Sequence, residues 1–223
     1  MTVSWTDSQA PKSSGDNRDI IRTKWKEGKN QRRLVGGVCP RYVYWITTKE
    51  GKRNPIECLG FDREKQAFVD NAMDPIKELK DEVFGGERPK PQFAYVCNTI
   101  NKDFPDGEEI MELCDLKKTV YDGLIECAKD PDFGNPADIE SGYDVNIMKT
   151  KTGPLPQNVK YDVRPRPVKR PLSEHERGLA LYELDKLIKR PTYDEQRKWL
   201  IDNTLFYIGE AGDENKYETE EDI

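Results

Sequence analysis

Residues 142–165 read GYDVNIMKTKTGPLPQNVKYDVRP, two alternating runs that are joined by a Gly-Pro-Leu-Pro turn. Alternation on both sides of such a turn predicts an antiparallel β-hairpin. Over residues 149–170 the chain has seven Lys and Arg residues and a single acid, Asp162. The hairpin is therefore strongly basic, although the chain of 223 residues has a net charge of −6. We expect its two tyrosines, Tyr143 and Tyr161, to lie in the core or at its flank.

Further strands and helices are predicted on both sides of this hairpin. Runs rich in β-branched and aromatic residues predict strands and read RYVYWITT (41–48), PIECLGF (55–61), PQFAYVCNTI (91–100) and EEIMELCDL (108–116). Helical spacing and capping signals predict helices over residues 63–84, 116–130, 173–190 and 192–199. About five to seven strands with single helices between or after them predict an α+β, mainly β fold, an OB-fold-like small open β-barrel with helical insertions and C-terminal helices.

The same patterns divide the chain into four segments. Residues 1–19 are predicted to be a disordered N-terminal arm, because they are polar and aperiodic. Residues 20–170 are predicted to form the OB-fold-like core, with a helical insertion at about 63–84. Residues 171–208 are predicted to form helices packed on this core. Residues 209–223, GEAGDENKYETEEDI, hold seven acids and one base, which predicts an acidic disordered tail.

Charge is segregated along the chain. From Arg18 to Arg53 eleven Lys and Arg residues oppose three acids, so this segment has a charge of +8. Two basic segments and an acidic tail favour a polyanion site together with an interaction tail. No apolar run reaches the ~18 residues that a membrane span needs. Five cysteines without a C-x-x-C pair suit reduced thiols, so we expect a soluble, intracellular protein.

Residues that could carry catalysis are sparse. His175 is the single histidine and lies in a charged helix turn without a Ser or Cys motif beside it. Asp130, Asp132 and Asp138 could hold a divalent cation for a nuclease, but they lie in a Pro/Gly loop, where turn and capping roles are commoner. We therefore expect no enzyme and no cofactor.

Basic and aromatic residues interleave in several segments, as in TKWKEGKNQRR, RYVYW, PKPQFAY, LKKTVY and the 142–165 hairpin. Binding of single strands combines a basic groove that follows the phosphates with aromatic faces on which bases stack. The candidate DNA-binding residues are Lys24, Lys26, Arg32, Arg33, Arg41, Tyr42, Tyr44, Lys52, Arg53, Arg88, Lys90, Phe93, Tyr95, Lys117, Lys118, Tyr121, Lys149, Lys151, Lys160 and Arg164. Tyr42 and Tyr44 share one face of a strand and Val43 and Trp45 the other, and alternation leaves open which pair is exposed.

The order of these segments resembles the single-stranded-DNA-binding (helix-destabilising) proteins of T-even-type phages and their relatives in other phages. The resemblance covers roughly residues 20–199 and is most specific from Leu116 to Val163. It implies an OB-fold core that coats and protects single strands during phage DNA replication, recombination and repair. By position it implies DNA contacts at Lys117, Lys118, Tyr121, Phe93 and Tyr95, with Arg88 and Lys90 as preceding basic residues. It also implies that an acidic tail with Glu218, Glu220, Glu221 and Asp222 contacts replication and recombination proteins.

Two departures from that family change the expectations for this chain. The T-even members hold zinc with one His and three Cys near the first strands, whereas this chain has only Cys39 and Cys58 there. Because zinc needs four ligands, we predict that zinc is absent. The basic N-terminal motif for filament formation is not recognisable in MTVSWTDSQAPKSSGD, so self-association on DNA is expected to be weak.

The sequence therefore predicts a non-enzymatic, sequence-independent single-stranded DNA-binding protein in the host cytoplasm, with no membrane partner. The alternative is a replication or recombination mediator or adaptor that acts mainly through protein–protein contacts. In that alternative the basic hairpin would bind an acidic partner protein in place of DNA.

Overall fold

The computed structural model describes residues 20–79, 83, 91–155 and 158–204. These residues divide into two compact units. Unit 1 holds those of Met1–Cys39 and Ala94–Ile188, and unit 2 holds those of Pro40–Phe93 and Lys189–Ile223. The predicted arm (1–19) and acidic tail (209–223) lie outside the described residues, and the predicted boundary at residue 170 stays a prediction.

The fold is α+β, mainly antiparallel sheet and OB-like, as the sequence predicts. The strands are β1 (Gly28–Thr47), β2 (Arg53–Glu57), β3 (Phe61–Asp62), β4 (Ala67–Phe68), β5 (Gln92–Asn101), β6 (Ile110–Lys117), β7 (Tyr143–Lys151) and β8 (Val159–Lys169). The helices are α1 (Pro75–Glu78), α2 (Lys118–Lys129), α3 (Glu174–Gly178), α4 (Leu184–Leu187) and α5 (Tyr193–Asn203). Among the residues that the structure describes, no helix is long and apolar enough to cross a membrane.

The main sheet follows the strand order β6-β5-β1-β7-β8, and β2 also pairs with β1. The β5/β6 pair and the β7/β8 pair are the two predicted hairpins, and both are antiparallel. The first part of β1 pairs with β7, from Gly28 opposite Lys149 to Arg32 opposite Val145. The last part of β1 pairs with β2 within unit 2. One long strand therefore contributes to both units.

Apolar side chains on alternating strand positions form the core of unit 1. Val145 and Ile147 of β7 are fully buried, as is Leu124 on the apolar face of α2. Tyr143 is also fully buried, and its hydroxyl donates to the Gly134 carbonyl at 3.0 Å, which confirms its predicted core position. In unit 2 a separate cluster is formed by Ile46, Ile76, Val83 and Leu200.

The predicted helical insertion over residues 63–84 is wrong for its first half. The chain there forms the β3/β4 hairpin, in which Phe61 pairs with Phe68. Its turn is closed by Asp62 Oδ1, which accepts the Glu64 and Lys65 amides at 2.9 Å each. The helix begins only after Asp74, whose side chain accepts the Ile76 amide at 2.9 Å. A local carboxylate turn thus overrides the apolar spacing that predicted a helix.

The single helix predicted over residues 173–190 is also wrong, because the structure has two short helices, α3 and α4. The predicted Ser173 and Glu176 capping box is present at the start of α3. Between the helices, Asn98 of β5 accepts the Tyr182 amide at 2.9 Å and donates to the Tyr182 carbonyl at 3.0 Å. This side chain satisfies both backbone groups of Tyr182, so the segment is held extended without helical hydrogen bonds.

Candidate nucleic-acid interface

Five aromatic rings gather in unit 2, and we call Tyr42, Tyr44, Phe61, Phe68 and Phe93 the aromatic cluster. Tyr42 is central. Its ring centroid lies 4.8 Å from that of Phe68, 4.9 Å from Phe93, 5.8 Å from Phe61 and 6.3 Å from Tyr44. Most of these pairs are edge-to-face, the geometry that aromatic rings favour at such distances. Each ring is therefore held in place by the others.

The strands explain why these rings meet and which of them reach solvent. Tyr42 and Tyr44 are two residues apart on β1, so they share one face of the strand. Phe61 and Phe68 are direct partners in the β3/β4 hairpin, but Phe61 is 1% exposed and Phe68 is 51% exposed. The other three rings are half-buried. The cluster thus has a buried base and an exposed rim, to which Phe68 contributes most.

The two tyrosines of the cluster are uncharged at neutral pH. Burial raises the pKa of Tyr42, and burial together with the nearby Cys58 and Asp74 raises the pKa of Tyr44 to about 12. Both rings therefore remain neutral phenols, which suits contact with the face of a nucleobase.

The predicted cations of unit 2 differ in their surroundings. Arg41 Nε lies 3.2 Å from Glu57 Oε2, and the guanidinium of Arg63 contacts the same buried carboxylate. Lys52 is exposed and forms a salt bridge with a neighbouring glutamate. Arg53 is exposed at the start of β2. Arg41, Lys52 and Arg53 are the predicted cations in the described part of unit 2. Of these three, Arg53 is the one whose side chain forms no salt bridge.

A second group of aromatic and basic side chains lies in unit 1. A cleft of about 280 Å³ is lined by Glu27, Lys149, Lys151, Leu155 and Val159. Beside it the ring centroids of Trp25 and Tyr161 are 6.0 Å apart, and Lys149 Nζ donates to the Trp25 carbonyl at 3.0 Å. We call this cleft with its two rings the Trp25 cleft. The exposed Lys24 and Lys26 flank Trp25 in the chain.

The register of the β7/β8 hairpin divides the predicted cations between two faces. Lys149 is opposite Tyr161, so Lys149 and Lys151 lie on the face of the Trp25 cleft. Lys160 is opposite Thr150, which places Lys160 and Arg164 on the other face. The basic residues of this hairpin therefore do not form one continuous surface.

The burial of Arg32 and Arg33 corrects their assignment as phosphate contacts, since their side chains are 1% and 0% exposed. Arg32 Nη1 donates to Asn101 Oδ1 and to Asp103 Oδ2, at 2.8 Å each. Arg33 Nη2 donates to the carbonyls of Asp138 and Arg170 at 2.8 and 3.1 Å, and burial lowers the pKa of Arg33. Both residues are on β1 in the middle of the sheet, where each face is covered, so they serve as internal cations.

Tyr95 and Tyr121 are likewise interior residues, which corrects their assignment as stacking platforms for bases. They are 5% and 7% exposed, and their rings stack on each other with centroids 3.7 Å apart. Burial raises the pKa of Tyr95 to about 12. The neighbouring Lys117 and Lys118 are exposed, and Lys118 Nζ lies 2.6 Å from Asp122 Oδ2 one helical turn later. The remaining candidates Arg88 and Lys90, and the tail residues Glu218, Glu220, Glu221 and Asp222, lie outside the described residues.

The residues considered for catalysis or metal binding have local structural roles. Asp130 Oδ1 accepts the Asp132 amide at 2.9 Å, and Asp138 Oδ1 accepts the Ser141 amide at 2.7 Å. Burial and a hydrogen bond to Asp74 raise the pKa of Cys58 to about 12, so this thiol stays protonated. Over the described ranges no three His, Cys, Asp or Glu side chains come together as a metal site.

The candidate list from the sequence lacks several residues of these two sites, among them the aromatic residues Phe61, Phe68 and Trp25. Phe61 and Phe68 fall in a predicted strand and a predicted helix, because the apolar helical spacing masks the turn signal at Asp62 between them. Trp25 stands between Lys24 and Lys26, and this KWK sequence is itself a basic-aromatic signal. Trp25 and Tyr161 are 136 residues apart, so no local pattern in the sequence predicts that their rings pack together.

The chain was compared with protein-family profiles and with known proteins, and one similar protein indicates its family. No protein-family profile matches the chain. The chain is 30% identical over 217 residues to a protein described as "Probable ssDNA-binding protein" from Escherichia phage T5. The match covers 95% of this chain and 73% of the T5 protein.

Proposed function

Since the chain belongs to the family of the probable ssDNA-binding protein of Escherichia phage T5, we propose that it binds single-stranded DNA without sequence preference. The observation that carries this proposal is the aromatic cluster, whose rim exposes Phe68 beside three half-buried rings. Because every base has a π-face, stacking on such rings tolerates any sequence. The relative is a T5 protein, so membership in the T-even-type group stays a prediction.

The proposed role is that of a non-enzymatic protein that coats and protects single strands during phage DNA replication, recombination and repair in the host cytoplasm. Residues 20–170 would form the DNA-binding core, and the acidic tail would contact replication and recombination proteins. The contacts to DNA that we propose are Phe68 and the accessible candidates of each unit, except Lys160 and Arg164, which lie on the face of the β7/β8 hairpin opposite the Trp25 cleft. They are Tyr42, Tyr44, Phe68, Phe93, Arg41, Lys52 and Arg53 in unit 2, and Lys24, Lys26, Lys117, Lys118, Lys149 and Lys151 in unit 1.

The test is binding of fluorescent oligo-dT to Phe68→Ala. Loss of one stacked base costs roughly 1–3 kcal/mol, so the affinity should fall between about 5- and 150-fold. The matched control is Phe104→Ala, which removes another exposed phenylalanine (42% against 51%) from the β5/β6 turn of unit 1. Equal affinities of the two variants and the wild type would show that the aromatic cluster does not contact DNA.

The adaptor function is a second candidate, and one observation favours it. Phe68, Val69 and Met73 are all exposed apolar residues within six positions of the chain, and such groups often mark protein-binding sites. Gel shifts separate the two functions. A DNA-binding protein of this class retards single-stranded oligonucleotides in preference to duplexes of the same length, whereas an adaptor retards neither.

A further inference from the structure

The Trp25 cleft has three features that a single-strand site requires, and it lies entirely within unit 1. It has a cavity, an aromatic pair and clustered cations. Its volume of about 280 Å³ is near the lower end of known ligand sites, which span ~300–1,000 Å³. A small occupant such as one nucleotide is therefore the appropriate size class.

Charge at the cleft selects an anionic occupant. Lys149 and Lys151 line it, and Lys24 and Lys26 flank Trp25, against one lining acid, Glu27. Among the described residues, Lys24, Lys26 and Lys151 have no salt-bridge partner. Two cations that line the cleft and two that neighbour Trp25 in the chain, against one acid, are complementary to a phosphate backbone with an unpaired base.

The segment that carries Trp25 is held rigidly before any ligand binds. Asn30 is fully buried and donates to the carbonyls of Lys26, Gly28 and Ile147 at 2.9, 3.2 and 3.2 Å. It also accepts the Lys26 amide at 2.9 Å. Gly28 adopts φ +87°, a conformation that favours glycine. The guanidinium of Arg32 lies 5.7 Å from the centre of the Trp25 ring, a cation–π contact that fixes the indole.

We propose that the Trp25 cleft is a second single-strand site, separate from the aromatic cluster, in which Trp25 contacts an unpaired base and Lys24, Lys26, Lys149 and Lys151 contact its phosphates. This inference rests on the proposed function, because it concerns the same ligand. It adds that each unit binds DNA on its own. Two short oligonucleotides therefore occupy one chain.

The first experiment is calorimetric titration of the full chain with dT5 and with dT30 at low salt. The expected stoichiometry is two dT5 per chain, and dT30 reports DNA binding as such. Binding of dT30 with only one dT5 per chain would overturn the second site and leave the proposed function standing. No binding of either oligonucleotide would overturn both.

The second experiment assigns the second site with matched lysine variants of the β7/β8 hairpin. Lys151→Gln should weaken or abolish dT5 binding at one of the two sites. The slope of log K against log salt should also become shallower, by about 0.7 for each phosphate that is no longer neutralised. Lys160→Gln is the control, because Lys160 is also exposed but lies on the opposite face. Equal effects of the two variants would overturn the assignment to this face.

A fluorescence measurement links the site to Trp25 itself. The chain has four tryptophans, and a variant with Trp5, Trp45 and Trp199 replaced by Phe leaves Trp25 as the only one. We expect dT5 to quench this indole in the otherwise intact protein, and Lys151→Gln to reduce the quenching. Binding of dT5 without any change in Trp25 emission would overturn the proposal.

Discussion

At the scale of single residues, Glu176 shows how unit 1 uses a buried charge. Its side chain is 0% exposed and accepts hydrogen bonds from Arg170 Nη1 and Nη2 at 2.6 and 2.8 Å. It also accepts the Ser173 amide at 2.7 Å and lies 3.1 Å from Lys102 Nζ. One carboxylate therefore joins the start of α3, the end of β8 and the β5/β6 turn. Buried charges of this kind are costly to leave without partners.

We expect Glu176→Gln to lower the free energy of unfolding by on the order of 3 kcal/mol, because it removes one member of a buried charge network. The measurement is urea denaturation at pH 7. Glu174→Gln is the matched control, since Glu174 is exposed in the same helix turn and should change stability by less than about 1 kcal/mol. Equal stabilities of the two variants would contradict the structural role of Glu176.

The same residue gives a pH dependence with a definite sign. Burial alone would raise the pKa of Glu176, but hydrogen bonds from Arg170, Ser173 and Lys102 outweigh it and hold that pKa well below its usual range. A depressed pKa in the folded state contributes stability that is present above the unfolded-state pKa of ~4.3 and is lost as the pH falls further. The stability difference between wild type and Glu176→Gln should therefore narrow below about pH 4.

At the scale of elements, the sequence predicts those structures whose signals are local. The β5/β6 and β7/β8 hairpins, α2 and the caps at Ser173 and Thr192 follow from alternation, turn residues and capping boxes. The segment between α3 and α4 could not be predicted, because the extended backbone at Tyr182 depends on Asn98, 84 residues away. In the β3/β4 hairpin the deciding signal is the local turn at Asp62, which the apolar spacing masks.

In the candidate site, too, the features with local signals are predictable from the sequence and those that depend on distant residues are not. Tyr42, Tyr44 and Phe93 are predictable as aromatic contacts, because strand segments rich in Tyr and Phe beside Lys and Arg are visible in the sequence. Alternation could not tell which rings face solvent. That depends on Phe61 and Phe68 packing around Tyr42, a tertiary arrangement. The prediction for Arg33 is wrong for a related reason, since a charged residue on a central strand is indistinguishable in sequence from one on an edge strand.

The contact between α2 and β8 yields a prediction at this scale. A Cβ at Gly123 would lie 3.1 Å from Cβ and Cγ2 of Val163, so the glycine allows the close approach of helix and strand. Gly→Ala inside a helix is otherwise worth up to about 1 kcal/mol. We expect Gly123→Ala to yield less than this in the wild type and more in a Val163→Ala background, which removes the Cγ2 contact but keeps the Cβ contact. Thermal unfolding of the double-mutant cycle measures the coupling, and additive effects would contradict the close contact.

At the scale of the whole molecule, the net charge of −6 conceals the basic segments from which we propose a DNA-binding surface. Buried arginines such as Arg33 contribute to the formal basic count without contributing to that surface. Exposed lysines on one face of the β7/β8 hairpin do contribute, because their charges remain available to phosphates. Counting charges along the sequence thus overestimates the cations near β1 and says nothing about the faces of β7 and β8.

The salt dependence of oligo-dT binding measures how many of these cations meet phosphates. For a single strand, log K falls with log salt with a slope of about −0.7 for each phosphate neutralised, so five contacts predict roughly −3.5. Stacking on neutral rings adds affinity without adding to this slope. Phe68→Ala should therefore lower K at every salt concentration and leave the slope unchanged, whereas Lys151→Gln should make it shallower. Fluorescence titrations of both variants over a range of NaCl concentrations separate the two contributions.

Two outcomes would contradict this account. A slope near zero for the wild type would show that aromatic contacts alone hold the strand. A changed slope in Phe68→Ala would show that the ring acts by positioning a cation.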